Sequence, residues 1–245
     1  MSIASEISRL QTAKAGLKTA IEGKGVTVSD TATLDAYPAL VESIQTGGSG
    51  GSDADLIGVI ERSGTSVNIP NGCTKIGDYA FYRMTNAYQL TNGIPDTVTY
   101  IGNYAFYYLE YLGRFGSISL PDSITYIGDY AFAECYNLRL KSSSLPSSLT
   151  YIGEYAFAEM NGNYNYNLAI DTIPANVKTI SRGVFIGCYG IKSLTFKGTP
   201  TTINAKAFST CNNLTTINVP WASGAVKNAP WGATDATINY NYTGA

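Results

Sequence analysis

The side chains in this sequence that could do chemistry are four thiols, a spaced set of acids and an excess of tyrosine. There is no His, which removes the commonest general base and the commonest metal ligand together. Cys135, Cys188 and Cys211 each follow a Phe by three residues, where parallel segments carry Met84, Leu109 and Met160. A position shared by Cys, Met and Leu is a buried apolar site. Cys73 lies eight before Phe81, where the other segments hold Val98, Ile124, Leu149 and Val177, so it too reads as core. With no CxxC, neither zinc nor disulfides are expected. Asp78, Asp129 and Glu154 share one position with Asn103. A catalytic carboxylate pair needs two different environments, so these equivalent acids are expected to form a solvated face. GxGxxG, the P-loop and GxSxG are all missing. The sequence predicts no catalytic residue, no cofactor and no metal.

The tyrosines are more informative. Tyr79, Tyr104, Tyr130 and Tyr155 recur two residues before a Phe, where later segments have Gly183 and Lys206. Tyr100, Tyr126 and Tyr151 form a second series, replaced elsewhere by Lys75, Thr179 and Thr202. Tolerance of Gly and Lys points the first series toward solvent. Two uses fit: rings stacked along the surface, or a face that binds sugars or protein with rigid aromatic area.

These spacings come from a repeat. IGDYAF at 76–81 returns as IGNYAF (101–106), IGDYAF (127–132) and IGEYAF (152–157), then degrades to ISRGVF (180–185) and INAKAF (203–208). The Phe positions 81, 106, 132, 157, 185 and 208 are 25, 26, 25, 28 and 23 apart. Self-similarity at that period marks a leucine-rich-repeat-like solenoid of short parallel strands with turns or short helices. An apolar–Pro pair at 69–70, 94–95, 120–121, 145–146, 173–174 and 219–220 supplies a corner in each unit, since Pro cannot sit inside a central strand. No unit can bury its own apolar face, but stacked units can. The Phe, Ile and Ala positions are therefore expected to form internal columns. Copies must agree where they build the scaffold and are free to differ where they bind. The differences gather after the AF pair, which makes Tyr82, Tyr88, Tyr108, Tyr111, Arg114, Phe115, Tyr164 and Tyr166 the candidate ligand-binding residues. Drift between copies explains the same differences equally well.

Residues 1–46 differ from the array. Ile3, Ile7, Leu10, Leu17 and Ile21 follow a heptad seam, with Lys14 at an a position. The expectation is a small α-helical anchor or oligomerisation module, and three heptads must pack on something to be stable. Glu6 and Arg9 stand where a signal peptide needs its apolar centre. Residues 47–53, GGSGGSD, read as a flexible linker. The solenoid then runs over 54–220 and a cap over 221–245. No apolar run of membrane-spanning length exists. The net charge of −2, with no basic run, argues against nucleic acid.

The pattern IG-x-x-AF-x-x-C-x-x-L with IP-x-x-V resembles the BspA-type (Treponema-type) leucine-rich repeats of bacterial surface proteins, with SITYIGDYAFAECYNLRL (123–140) the best copy. The ending 218–240 is similar to the C-terminal cap of such proteins, which implies that Trp221 and Trp231 cover the open end. Residues 13–44 resemble, less specifically, the opening of phage tail and fibre-like proteins. Together the two resemblances imply a virion protein. Its N-terminus would meet other virion proteins as a homo-oligomer, a trimer by analogy with fibres. Its repeats would meet a host-surface glycan or protein. The alternative is a bacterial cell-surface adhesin of the BspA type.

Overall fold

The computed structural model describes residues 55–56, 66–91, 93–112, 117–140, 144–160 and 170–244. The chain divides into two compact units, 1–54 and 55–245, and every described element belongs to the second. The heptad positions Ile3, Ile7, Leu10, Leu17 and Ile21 and the linker lie outside the described residues.

Among the described residues, thirteen short strands, all paired in parallel, carry the unit. One sheet joins β1 (Asp55–Leu56), β3 (Lys75–Ile76), β5 (Tyr100–Ile101), β6 (Tyr126–Ile127) and β7 (Tyr151–Ile152). It is in register by repeat, so Tyr100 faces Tyr126 and Tyr126 faces Tyr151 across the ladder. β9 (Thr179–Ile180) and β11 (Thr202–Ile203) pair in the same sense farther along. On another side of the coil, β2 (Ser66–Val67) pairs with β4 (Gln89–Leu90). Later in the chain β8 (Thr172–Ile173), β10 (Ser193–Phe196), β12 (Thr216–Asn218) and β13 (Thr237–Asn239) form a four-stranded sheet. The connections are turns, and no helix occurs among the described residues. Of the expected turns or short helices, only turns are present.

Most strands are two residues long because the next residue must let two coils approach. In the early copies that residue is Gly. A Cβ on Gly128 would lie 2.7 Å from the Asn103 backbone nitrogen of the preceding coil, a distance no side chain tolerates.

Each AF turn is itself a ladder. The N–H groups of Phe81, Phe106 and Phe132 donate to the carbonyls of Ala105, Ala131 and Ala156 at 2.7, 2.8 and 2.8 Å. The last rung runs from Phe208 to the Trp231 carbonyl at 3.0 Å. The cap therefore continues the ladder as a seventh, degenerate turn, and the buried Trp231 indole closes the core. Its Nε1 donates to the Lys227 carbonyl at 2.7 Å.

Inside, Phe81, Phe106, Phe132, Phe157, Phe185 and Phe208 are fully buried. Their rings stack in sequence with centroids 4.9–5.7 Å apart. The thiol column runs beside them. Cys135, Cys188 and Cys211 each donate at 2.9 Å to the backbone carbonyl of the Phe one coil earlier, namely Phe106, Phe157 and Phe185. All four cysteines are buried thiols. Burial pushes the Cys135 and Cys211 thiols up to about 12, so these groups pack as apolar side chains and stay protonated.

The candidate tyrosine surface

The AF turn positions its outer tyrosines through an uncommon backbone. Tyr79, Tyr104, Tyr130 and Tyr155 have φ of 54–59°, and Arg83, Tyr108, Glu134 and Glu159, four residues later, have 53–58°. Each left-handed residue costs about 1–2 kcal/mol. Inter-coil hydrogen bonds at the same residues offset that cost. The N–H groups of Tyr79, Tyr104, Tyr130 and Tyr155 donate to the next coil at 2.8–3.0 Å.

This geometry aims the first tyrosine series outward as a continuous stack. Centroids are 5.1 Å apart for Tyr79–Tyr104, 4.8 Å for Tyr104–Tyr130 and 4.9 Å for Tyr130–Tyr155, with planes within 15°. The second series stacks more tightly, at 4.5 Å for Tyr100–Tyr126 and 4.6 Å for Tyr126–Tyr151. Burial raises the phenols of Tyr100, Tyr104, Tyr130 and Tyr151, and a neighbouring acid adds to it in each case. Tyr126 is pushed up to about 12 by burial, then by Tyr100, Tyr151 and Asp129.

Position 183 is Gly for a packing reason. A Cβ there would collide with the Tyr155 ring, and Gly183 adopts φ of 61°. The Tyr155 ring thus lies over the backbone of the next coil, with the Arg182 guanidinium 6.0 Å from its centroid. Gly183 does not signal solvent. It lets the stack end against main chain.

The acids keep solvent contact as expected, Asp78 and Glu154 exposed and Asp129 half-buried. Asp78, Asn103 and Asp129 do more than face water: each accepts the backbone N–H of the equivalent residue one coil on. The partners are Asn103, Asp129 and Glu154, at 2.7, 2.8 and 2.8 Å. The position needs an acceptor one methylene from the backbone, which explains why Asn serves as well as Asp.

Among the candidate ligand-binding residues, Tyr82 stacks on Tyr107 at 5.3 Å and meets Tyr79 edge-on at 5.5 Å. Tyr88 and Tyr111 are tilted partners at 5.7 Å. Tyr108 takes the Arg83 guanidinium over its ring at 5.1 Å and Tyr136 at its edge at 6.0 Å. Arg114, Phe115, Tyr164 and Tyr166 lie outside the described residues. Sequence reasoning missed the group around Glu134, whose two oxygens accept the Tyr107 hydroxyl at 2.6 Å and the Tyr136 hydroxyl at 3.0 Å. Burial and then the bond to Glu134 raise both phenols. The available signal was a Tyr at 107 beside a carboxylate one coil on.

A model of the BspA type leucine rich repeat region matches residues 61–167 and 160–229 in six copies. The chain belongs to the BspA-type leucine-rich-repeat family. Among solved structures, a leucine-rich repeat protein from Bacteroides ovatus is 31% identical over 62% of this chain and 39% of its own, with a TM-score of 0.49. The Treponema pallidum leucine-rich repeat protein is 25% identical over 64% of this chain and 72% of its own, at a TM-score of 0.51. The pneumococcal vaccine antigen PcpA shares the fold at 17% identity and a TM-score of 0.54, over 76% of this chain and 44% of its own. This BspA-type chain spans less than half the length of two of these three proteins. No curated protein matches it.

Proposed function

We propose that this protein is a non-catalytic binding scaffold displayed at a bacterial surface, an adhesin of the BspA type. The observation that carries the reading is the contrast between core and surface. The thiols are buried as packing groups, and Asp78, Asn103 and Asp129 serve as inter-coil acceptors. The tyrosines, in contrast, form partly exposed rows, the first of them carried on left-handed backbone. Rigid aromatic area at low entropic cost suits a protein or glycan ligand.

The family match begins at residue 61, whereas the virion reading draws on residues 13–44, so the bacterial surface is placed first. Labelling intact producer cells with antibody against the repeats tests it. The expected result is label on unpermeabilised cells. Label confined to released phage particles would replace this reading with attachment by a virion.

A further inference from the structure

A ring in the middle of a stack has both faces occupied and offers a ligand only its edge. Binding by a face is open only at the end of a row, so the residue on the next rung determines what fits there. Tyr155, the last ring of the first row, lies against Gly183, with the Arg182 guanidinium 6.0 Å from its centroid. In the second row Tyr126 is covered by Tyr100 and Tyr151. Tyr100 has Lys75 across the ladder on its other side. Tyr151 ends that row differently. Its inner face stacks on Tyr126 at 4.6 Å, and the residue remains 37% exposed.

Described residues form the rung beyond Tyr151, and they keep the register. Ser181 Oγ donates to the Ile152 carbonyl at 2.9 Å, where one coil earlier the Gly153 N–H donates to Ile127 at 2.8 Å. The Tyr155 N–H donates to the Arg182 carbonyl at 3.0 Å, just as Tyr130 donates to Glu154 at 2.9 Å. The residue beyond Tyr151 is therefore Thr179, and Thr202 stands opposite Thr179 in turn. Each of the three is an exposed residue followed by a buried Ile, so all three side chains share one face. A threonine stops well short of the reach of a phenol. The row thus steps down from rings to hydroxyls, and two rungs without a ring leave roughly 10 Å of ledge beyond Tyr151. Thr202 Oγ1 lies 3.5 Å from Thr179 Oγ1, which makes the floor of the step polar.

We propose that this step is a sugar subsite, where one pyranose ring of a neutral glycan stacks on the outer face of Tyr151 in the place a fourth phenol would fill. Phenol faces attract the weakly positive C–H groups of a sugar for the same electrostatic reason that they attract cations. The sugar hydroxyls exchange hydrogen bonds with Thr179 and Thr202. That polar floor separates a sugar from an aromatic side chain, which would cover both hydroxyls and pair with neither. Exposed Glu154, Lys178 and Arg182 in the same two coils are of mixed sign, which favours a neutral ligand over a charged one. The Lys178 ammonium is already engaged, donating to the Ala175 carbonyl at 2.9 Å. The inference rests on the binding-scaffold reading and names its ligand class and site.

The test titrates the full chain with cellohexaose, maltohexaose and mannohexaose by saturation-transfer NMR and calorimetry. At least one of the three should bind. Tyr151→Ala should then weaken it roughly tenfold through loss of one aromatic face. Tyr151→Phe, which keeps the face and loses the hydroxyl, should bind like the parent. Tyr242→Ala removes a similarly exposed ring outside the rows and should weaken binding by less than about twofold. Thr179→Tyr supplies the missing ring from within the chain, so it should abolish binding while the thermal midpoint holds or rises. Should Tyr151→Ala also lower the midpoint, Thr179→Tyr decides alone. Binding of none of the three, equal losses in Tyr151→Ala and Tyr242→Ala, or full binding by Thr179→Tyr overturns the subsite. So does the tripeptide Gly-Trp-Gly bound through Tyr151 in place of the sugars. Antibody label on intact cells together with any of those results would leave the scaffold reading standing, so the two fail separately.

Discussion

The inner Phe column and the outer Tyr columns are built on the same rungs and stack with nearly the same spacing, 4.9–5.7 Å inside and 4.5–5.1 Å outside. The spacing comes from the parallel ladder, which holds equivalent residues one strand apart. It carries no information about purpose. Burial separates the two. The inner rings are removed from water and contribute to stability through area and packing, whereas the outer rings keep edges and hydroxyls in solvent. A regular ladder is therefore no sign of a ligand by itself, and its irregular ends are the informative part.

The comparison breaks most visibly inside. Phe132→Ala removes a ring stacked on both faces and should cost about 3–5 kcal/mol, read as a lower denaturation midpoint. Tyr130→Ala, at the equivalent rung outside, should cost only about 1 kcal/mol. Equal costs would abolish the distinction between the columns.

The next largest effect is expected at Gly183, where the outer stack meets main chain. Gly183→Ala places a Cβ in the Tyr155 ring at a left-handed residue, and should cost about 1–3 kcal/mol. Adding Tyr155→Ala should recover the steric part and leave the backbone part, a coupling that a double-mutant cycle measures. Additive losses would mean that the ring does not need the glycine.

A smaller effect belongs to the acid ladder. Asp129→Ala leaves the Glu154 N–H without its acceptor and should cost about 1 kcal/mol. Asp129→Asn should be nearly silent, because Asn103 already does this work one coil earlier. Chemical denaturation of the three proteins separates an acceptor role from a charge role.

Much of this was legible in the sequence. The repeat period located the Phe column, the core thiols and the tyrosine rows, because stacking forces equivalent residues into equivalent places. The reading failed where one copy acts on the next. Gly183 looked like tolerance of solvent, yet it is required by a ring 28 residues earlier. The acids are solvated as expected, but their bond to the next coil leaves no trace in composition. Glu134 was missed because Tyr107 reaches it from the preceding coil while Tyr136 lies two residues away, a pairing that shows only once the repeats are stacked.

The smallest predicted effect concerns ionisation of the outer rows. Tyr126 lies between Tyr100 and Tyr151, and its phenol is raised from 10.0 to about 12, chiefly by burial. The unfolded chain therefore loses this proton first as the pH rises. Stability contributed by neutral Tyr126 is complete below pH 10 and drains away between about 10 and 12. No such term comes from the Phe column, which cannot ionise. Phenolate absorbance should accordingly show Tyr126 among the late-titrating tyrosines, and Tyr126→Phe should flatten the fall in stability above pH 10. The comparison is with Tyr151→Phe at the exposed end of the same row, where the raised phenol has a stacked tyrosine on one side only. A larger flattening from Tyr151→Phe than from Tyr126→Phe would mean that burial between two neighbouring rings is not what holds the proton.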